Sequence, residues 1–234
     1  MIKKIKFIPQ SEIAEETVSP PEPAKNFVPD WYKKLSRKID NRYPWRLPSG
    51  RANLTIKACV PTLDAMTSGY IITLSADVYA TKNSEYNGRL LWNSARQIVS
   101  EHGDIQYGDM VPPEGYERNP FKWDTEWIIK TPKRYSLLFI HPHYRFDLPF
   151  ITLPALVDTD SFGVALNLPF FLKEDFEGLI PKGTPIAQVI PIKREKWIYS
   201  ILKYGKMGKY NHFKIADRNE RAYKIEHWEK KDYS

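Results

Sequence analysis

The chain has 234 residues, 42% of them hydrophobic, 27% charged and 14% aromatic, which is enough for a sizeable core in one or two domains. No apolar run approaches the ~18 residues of a membrane-spanning helix, and Lys3, Lys4 and Lys6 stand where a signal peptide would need an apolar core, so no membrane association and a cytosolic setting are expected. The single cysteine, Cys59, excludes an internal disulfide and a cysteine-based zinc site.

The net charge of +7 is unevenly spread. Residues 1–50 carry ten basic and six acidic groups, residues 51–192 thirteen and sixteen, and residues 193–234 twelve and six. This profile divides the chain into a proline-rich arm with a short amphipathic helix (1–50), a β-rich core domain (51–192) and a basic, helical C-terminal tail (193–234). Charge concentrated at the ends fits either solvated termini or contact with a partner through the arms.

In chain order, Pro20, Pro21 and Pro23 favour extended polyproline-like chain. Asp30 then precedes a run in which Trp31, Leu35 and Ile39 fall at i, i+4 and i+8, predicting a helix capped by Asp30 whose stripe packs on its own core or on a neighbouring copy. Residues 54–60 and 70–78 read as β-branched strands bounded by Pro61 and by Ser68-Gly69, which would make Cys59 a core residue. Residues 89–102 suit one helix stopped by Gly103 or two strands equally well. Short strands are predicted over 125–129, 136–140, 150–153, 155–157, 164–168 and 186–192, with prolines at their edges. Within 135–192, Phe139, Val157, Leu166, Phe171, Ile186 and Val189 are the expected core. The tail from Trp197 onward has helical spacing, at Trp197, Ile201 and Tyr204 and again at Ala222 and Ile225, and is expected to dock on the core as helix. The fold class is therefore mainly β (α+β): a sandwich or β-clip-like core with short flanking helices and a helical tail.

Residues 135–192 contain Pro142, then Val157-Asp158-Thr159-Asp160-Ser161-Phe162, then Asn167, Phe176 and Lys182-Gly183-Thr184-Pro185-Ile186-Ala187-Gln188. In order and spacing this stretch resembles the middle of the trimeric dUTPase and dCTP deaminase superfamily, whose β-clip cores hydrolyse or deaminate nucleotides. The resemblance implies Asp158 as the general base that activates water, Gln188, Arg145 and Asp160 as ligand contacts, and Mg2+ bridging the phosphates. Three departures weigh against hydrolysis. Pro142-His143-Tyr144-Arg145 lacks the Ser and Gly of the family's phosphate turn, the tail at Tyr204-Gly205-Lys206-Met207-Gly208-Lys209 is too poor in glycine to wrap a triphosphate, and no Asn-Gly tip precedes Asp158. The same residues also read as structure, with Asp158 and Asp160 capping a turn before Phe162-Gly163.

A wider pattern, Pro-Pro-Glu-Pro-Ala-Lys at 20–25, Val-Pro-Asp-Trp-Tyr-Lys-Lys-Leu at 28–35, 55–66 and 177–191, resembles a protein family of marine and cyanobacterial tailed phages. It implies a phage gene product in the host cytoplasm or the virion, partnered by itself or by particle proteins, and implies no particular activity.

His141, His143 and Asp147 have the composition of a two-His-one-carboxylate iron site, although turn and surface histidines explain them as well, and no iron, zinc or other cofactor is expected. No P-loop, dinucleotide fingerprint or nucleophile elbow is present. Lysines beside aromatic residues, as in Lys196-Trp197 and Lys203-Tyr204, could stack single-stranded nucleic acid through the tail or anchor helices on a sheet. The leading expectation is a non-catalytic, self-associating binding or structural module; the alternative is a Mg2+-dependent nucleotide pyrophosphatase or deaminase-like enzyme.

Overall fold

Prolines and glycines cut the apolar runs into short strands, and a computed structural model describes them over residues 2–39, 54–83, 85, 88–203 and 223–234. The strands are β1 (Lys6–Pro9), β2 (Glu22–Pro23), β3 (Tyr70–Thr73), β4 (Val78–Ala80), β5 (Leu90–Trp92), β6 (Val99–Glu101), β7 (Phe121–Asp124), β8 (Trp127–Lys130), β9 (Tyr135–Ile140), β10 (Phe150–Thr152), β11 (Ala155–Val157), β12 (Asn167–Leu172), β13 (Gly178–Ile180) and β14 (Pro185–Lys193). Three short α-helices accompany them: α1 (Glu12–Thr17), α2 (Asp30–Lys34) and α3 (Val60–Thr67). The protein is mainly β, as expected.

All named pairings are antiparallel. A five-stranded sheet runs β11-β9-β14-β3-β2 and a four-stranded sheet β10-β12-β7-β6, with a three-stranded sheet β13-β4-β5 and the pair β1-β8 beside them. One apolar cluster joins the sheets: Ile72, Leu137, Phe139, Ile186 and Val189 from the first meet Phe121, Trp123, Phe150, Leu168 and Phe170 from the second. Trp123 stacks on Phe170 at 3.7 Å and meets Phe150 edge-on at 5.0 Å. Alternation makes this possible, since β7 buries Phe121 and Trp123 while Lys122 and Asp124 point the other way. Of the expected core residues, Phe139, Phe171, Ile186 and Val189 are buried, whereas Val157 and Leu166 are partly buried against the cluster.

At Gly69 the backbone carries φ +73°, and a Cβ there would sit 2.0 Å from the Val189 carbonyl oxygen, so only glycine lets the start of β3 approach β14 this closely. The Gly69 carbonyl accepts from Ala24 N at 3.0 Å, which fastens the proline-rich segment to the same sheet. That segment is held at two further places, by β2 on β3 and by β1 on β8.

Several local expectations change. Residues 54–60 form no strand: Leu54 bridges Lys38, a 3-10 turn follows at Ile56–Ala58 with the Thr55 hydroxyl accepting from Lys57 N, and Pro61 opens α3. Proline at the start of a helix loses no needed N–H, so Pro61 begins a helix where the apolar run before it predicts the end of a strand. Cys59 is consequently exposed, not core. α2 is only five residues long; Pro29 precedes it and Asp30 is its first residue, so Asp30 does not cap it. In so short a helix no i, i+4, i+8 stripe exists, and Tyr32 is buried while Trp31 and Ile39 are exposed. Residues 89–102 resolve into β5 and β6. The strand expected at 125–129 is broken by Glu126 at φ +56°, and the one expected at 164–168 begins at Asn167.

The tail expected to be helical has no helix between 194 and 203; among its described residues, a π-helical turn at Tyr223–His227 supplies the helical geometry. Helical spacing produces a buried stripe only where a face receives it, and Trp197, Ile198 and Ile201 find none among the described residues. The chain does return to its core at Trp228, whose Nε1 donates to Asp64 Oδ2 at 2.8 Å, and at Tyr233 against Tyr70. The helical spacing at Tyr204 and Ala222, the glycine-poor stretch 204–209 and the Lys209-Tyr210 pair lie outside the described residues. Among the described residues no helix is long and apolar enough to cross a membrane.

Candidate functional site

The turn after β11 is built by Asp158, whose carbonyl accepts from Ser161 N at 3.1 Å and Phe162 N at 2.9 Å, with Thr159 buried against Thr131. The Asp158 carboxylate accepts from Ser136 Oγ at 2.6 Å and pairs with Arg194 Nη1 at 2.9 Å. Asp160 accepts from Arg134 N at 2.9 Å and takes both terminal nitrogens of Arg194. The Ser136 hydroxyl, then Arg194, hold the Asp158 carboxyl below the usual carboxylate range; the Arg194 guanidinium, then the Arg134 N–H, bring Asp160 to about 2. Both carboxylates are thus ionised and share the single positive charge of Arg194, a residue the sequence pattern does not single out. Arg194 is the cation that already pairs with both, and no third carboxylate, imidazole or thiolate joins them among the described residues to hold a metal ion.

Gln188 lies in the middle of the five-stranded sheet, opposite Ile71 on β3 and Ile140 on β9, and is 1% exposed. Its Oε1 accepts from His143 N at 3.1 Å and meets His143 Nδ1 at 2.9 Å, while its Nε2 donates to the carbonyls of Ala65 (2.9 Å) and Ser68 (2.6 Å). The amide therefore ties α3, β14 and the loop after β9 together and has no capacity left for a phosphate. Within one chain Asp158 and Gln188 are not brought together. Asp158 reaches Ser136 at the start of β9 and Gln188 faces its end, about 13 Å away at the ordinary strand rise.

The loop after β9 carries the remaining expected residues. Arg145 clasps Asp147 through Nε to Oδ1 and Nη2 to Oδ2, both 2.9 Å, which holds the Asp147 carboxyl below its ordinary range. His141 places Nε2 3.1 Å from the Arg145 carbonyl and accepts from Thr152 N at Nδ1, so it is the neutral Nε2–H tautomer; burial, its first cause, pushes its pKa down. His141 and Asp147 are both tied to Arg145, through its carbonyl and its guanidinium, and His143 to Gln188, and among the described residues no group of three or more His, Cys, Asp or Glu could hold a metal ion.

Two further clefts are formed by residues far apart in the sequence. One gathers Asp124, Glu126, Arg96 and Asn167; Glu126 is buried and paired to Arg96, and burial raises the Asp124 pKa. The other lies between α2 and the loop after β9, where Trp31 Nε1 donates to the Tyr144 carbonyl at 3.3 Å. Trp31, Arg145 and Asp147 are each visible in the sequence, but that they share a cleft follows only from the fold.

No protein-family model matches this chain, and no curated protein matches it. Among solved structures it is similar to a mutant form of the dUTPase from phage phi11 of S. aureus, a structure that describes coordination of a structural Mg(II) ion, with 10% identity over 86% of this chain and 97% of that one and a TM-score of 0.39.

Proposed function

We propose that the protein works by binding, as a self-associating module of a phage-type assembly, and that its C-terminal run is the contact it offers. The observation that carries this reading is the segment after β14: Trp197, Ile198, Tyr199, Ile201 and Leu202 are 64 to 91% exposed, five large side chains within six residues. Burying such a side chain contributes about 1.5–3 kcal/mol, and a contiguous exposed set of this size marks an interaction surface. Arg194, fixed to Asp158 and Asp160, roots the run at the sheet, and its basic surroundings complement the mildly acidic 51–192 region of a second copy. The commitment of Gln188, Arg145 and Asp158 to structural bonds supports binding over nucleotide hydrolysis.

Light scattering tests the reading. The intact chain is expected as a multiple of 27.4 kDa, falling to a single copy when Trp197, Ile198 and Ile201 are all replaced by serine. An unchanged mass would remove the run from the interface. Pyrophosphate released from dUTP or dCTP with Mg2+, and lost in Asp158→Asn, would overturn the non-catalytic reading in favour of the pyrophosphatase.

A further inference from the structure

Two runs more than a hundred residues apart, 28–35 and 141–147, form opposite sides of one groove of about 470 Å3. Phe27, Trp31 and Pro185 supply apolar lining, and the polar part consists of two ion pairs, Asp30 with Lys33 at 3.4 Å and Arg145 with Asp147. The indole is held in place by its bond to the Tyr144 carbonyl and a T-shaped contact with Tyr32, yet remains 41% exposed. Tyr144 itself carries φ +61°, a left-handed conformation that an aromatic residue rarely adopts, and this conformation goes with the carbonyl that fixes Trp31.

We propose that this groove binds a neutral saccharide unit. Every charge that lines it is paired inside it and the two pairs sum to zero, so the groove offers no net charge to favour a phosphate or a cation. A neutral ligand disturbs neither pair. The Asp147 carboxylate is half exposed and keeps acceptor lone pairs beyond those used by Arg145, and Nη1 of Arg145 donates to no described residue. Paired carboxylate and guanidinium groups match the alternating donor and acceptor character of vicinal hydroxyls, and an indole face accepts the C–H face of a pyranose. The volume is that of a small-ligand site, which is typically ~300–1,000 Å3. The groove lies apart from the C-terminal run, so this site stands or falls independently of self-association.

The test uses the full-length protein on an array of immobilised neutral oligosaccharides built on glucose, galactose, mannose and N-acetylglucosamine, with uridine and thymidine as free competitors, followed by calorimetry with the best saccharide. Expected are binding that varies little with salt, a loss of about tenfold or more in Trp31→Ala and in the near-isosteric Asp147→Asn, and retention in Trp31→Phe, each variant having a wild-type melting temperature. If Trp31→Ala does not fold, Asp147→Asn decides alone. Absence of saccharide binding, binding untouched by Asp147→Asn, or displacement by a nucleoside would each overturn the proposal.

Discussion

Replacing Gln188 by methionine keeps the volume of the side chain and removes all its hydrogen bonds. The Ala65 and Ser68 carbonyls and the His143 N–H then lose a partner that is 1% exposed, at a place where water has little access. Each buried polar group left unpaired costs about 1–3 kcal/mol, so three of them, taken toward the lower end because His143 is only half buried, remove roughly 3–5 kcal/mol from a total of about 5–15. At ~2–4 °C per kcal/mol for a chain of this size, the melting temperature falls by roughly 6–20 °C. Urea unfolding followed by tryptophan fluorescence checks it, with the midpoint shifted and the slope unchanged. Gln188→Glu is the control: it keeps the acceptor for His143 but turns a carboxylate oxygen toward two carbonyls, so it should be at least as unstable at pH 7 and recover as acid protonates it. A Gln188→Met protein that melts within about 2 °C of wild type would refute the structural role and return Gln188 to the ligand contacts.

Three further outcomes follow from the geometry. Trp123→Ala empties the site between Phe150 and Phe170 and should cost at least about 3–5 kcal/mol, seen as a shifted urea midpoint and a weakened near-ultraviolet dichroism; a shift under ~1 kcal/mol would displace Trp123 from the core. Asp124→Asn should raise the melting temperature at pH 7, because burial raises the pKa of this carboxyl and so penalises its charged form; the gain should shrink as pH falls toward the ordinary carboxylate range, and a loss of stability at pH 7 would contradict it. Asp160 has its pKa brought down to about 2, so the stability it contributes is present above the ordinary carboxylate value of ~3.9 and is lost as pH falls through about 2. The stability difference between wild type and Asp160→Asn should therefore be nearly the same at pH 7 and pH 5 and shrink below that; a difference already gone at pH 5 would rule out the Arg194 pairing.

Strands β9, β10 and β11 are legible because apolar runs of strand length end at Pro142, Leu153-Pro154 and Asp158, and β14 because its run starts at Pro185; the period of two survives in the burial of Leu137 and Phe139. The run at 54–60 has the same composition and folds otherwise, since Thr55 and Pro61 are helix-start residues and their local bonding wins over β propensity. Gln188 stands out through its Ala-Gln strand, but its role does not, because that role is set by carbonyls of Ala65 and Ser68 some 120 residues away. Arg194 carries no signal at all: only the register of β14 against β9 places its guanidinium over Asp158 and Asp160. Trp31 and Tyr144 are each visible within their own run, and nothing in either run says that they touch.

The order β11-β9-β14-β3-β2 puts β14, the last strand among the described residues, in the centre of the largest sheet. Until residues 185–193 have been made, β3 and β9 have no strand to sit between them, and each keeps an open row of backbone donors and acceptors on that side. β1 waits as long for β8, some 120 residues downstream. Contacts of such sequence separation make for slow folding, on the millisecond-to-second scale, and for nascent chains that gain from protection against pairing with one another. A chain stopped before Pro185 would keep most of its apolar residues and yet lack the strand that joins the two halves of its largest sheet.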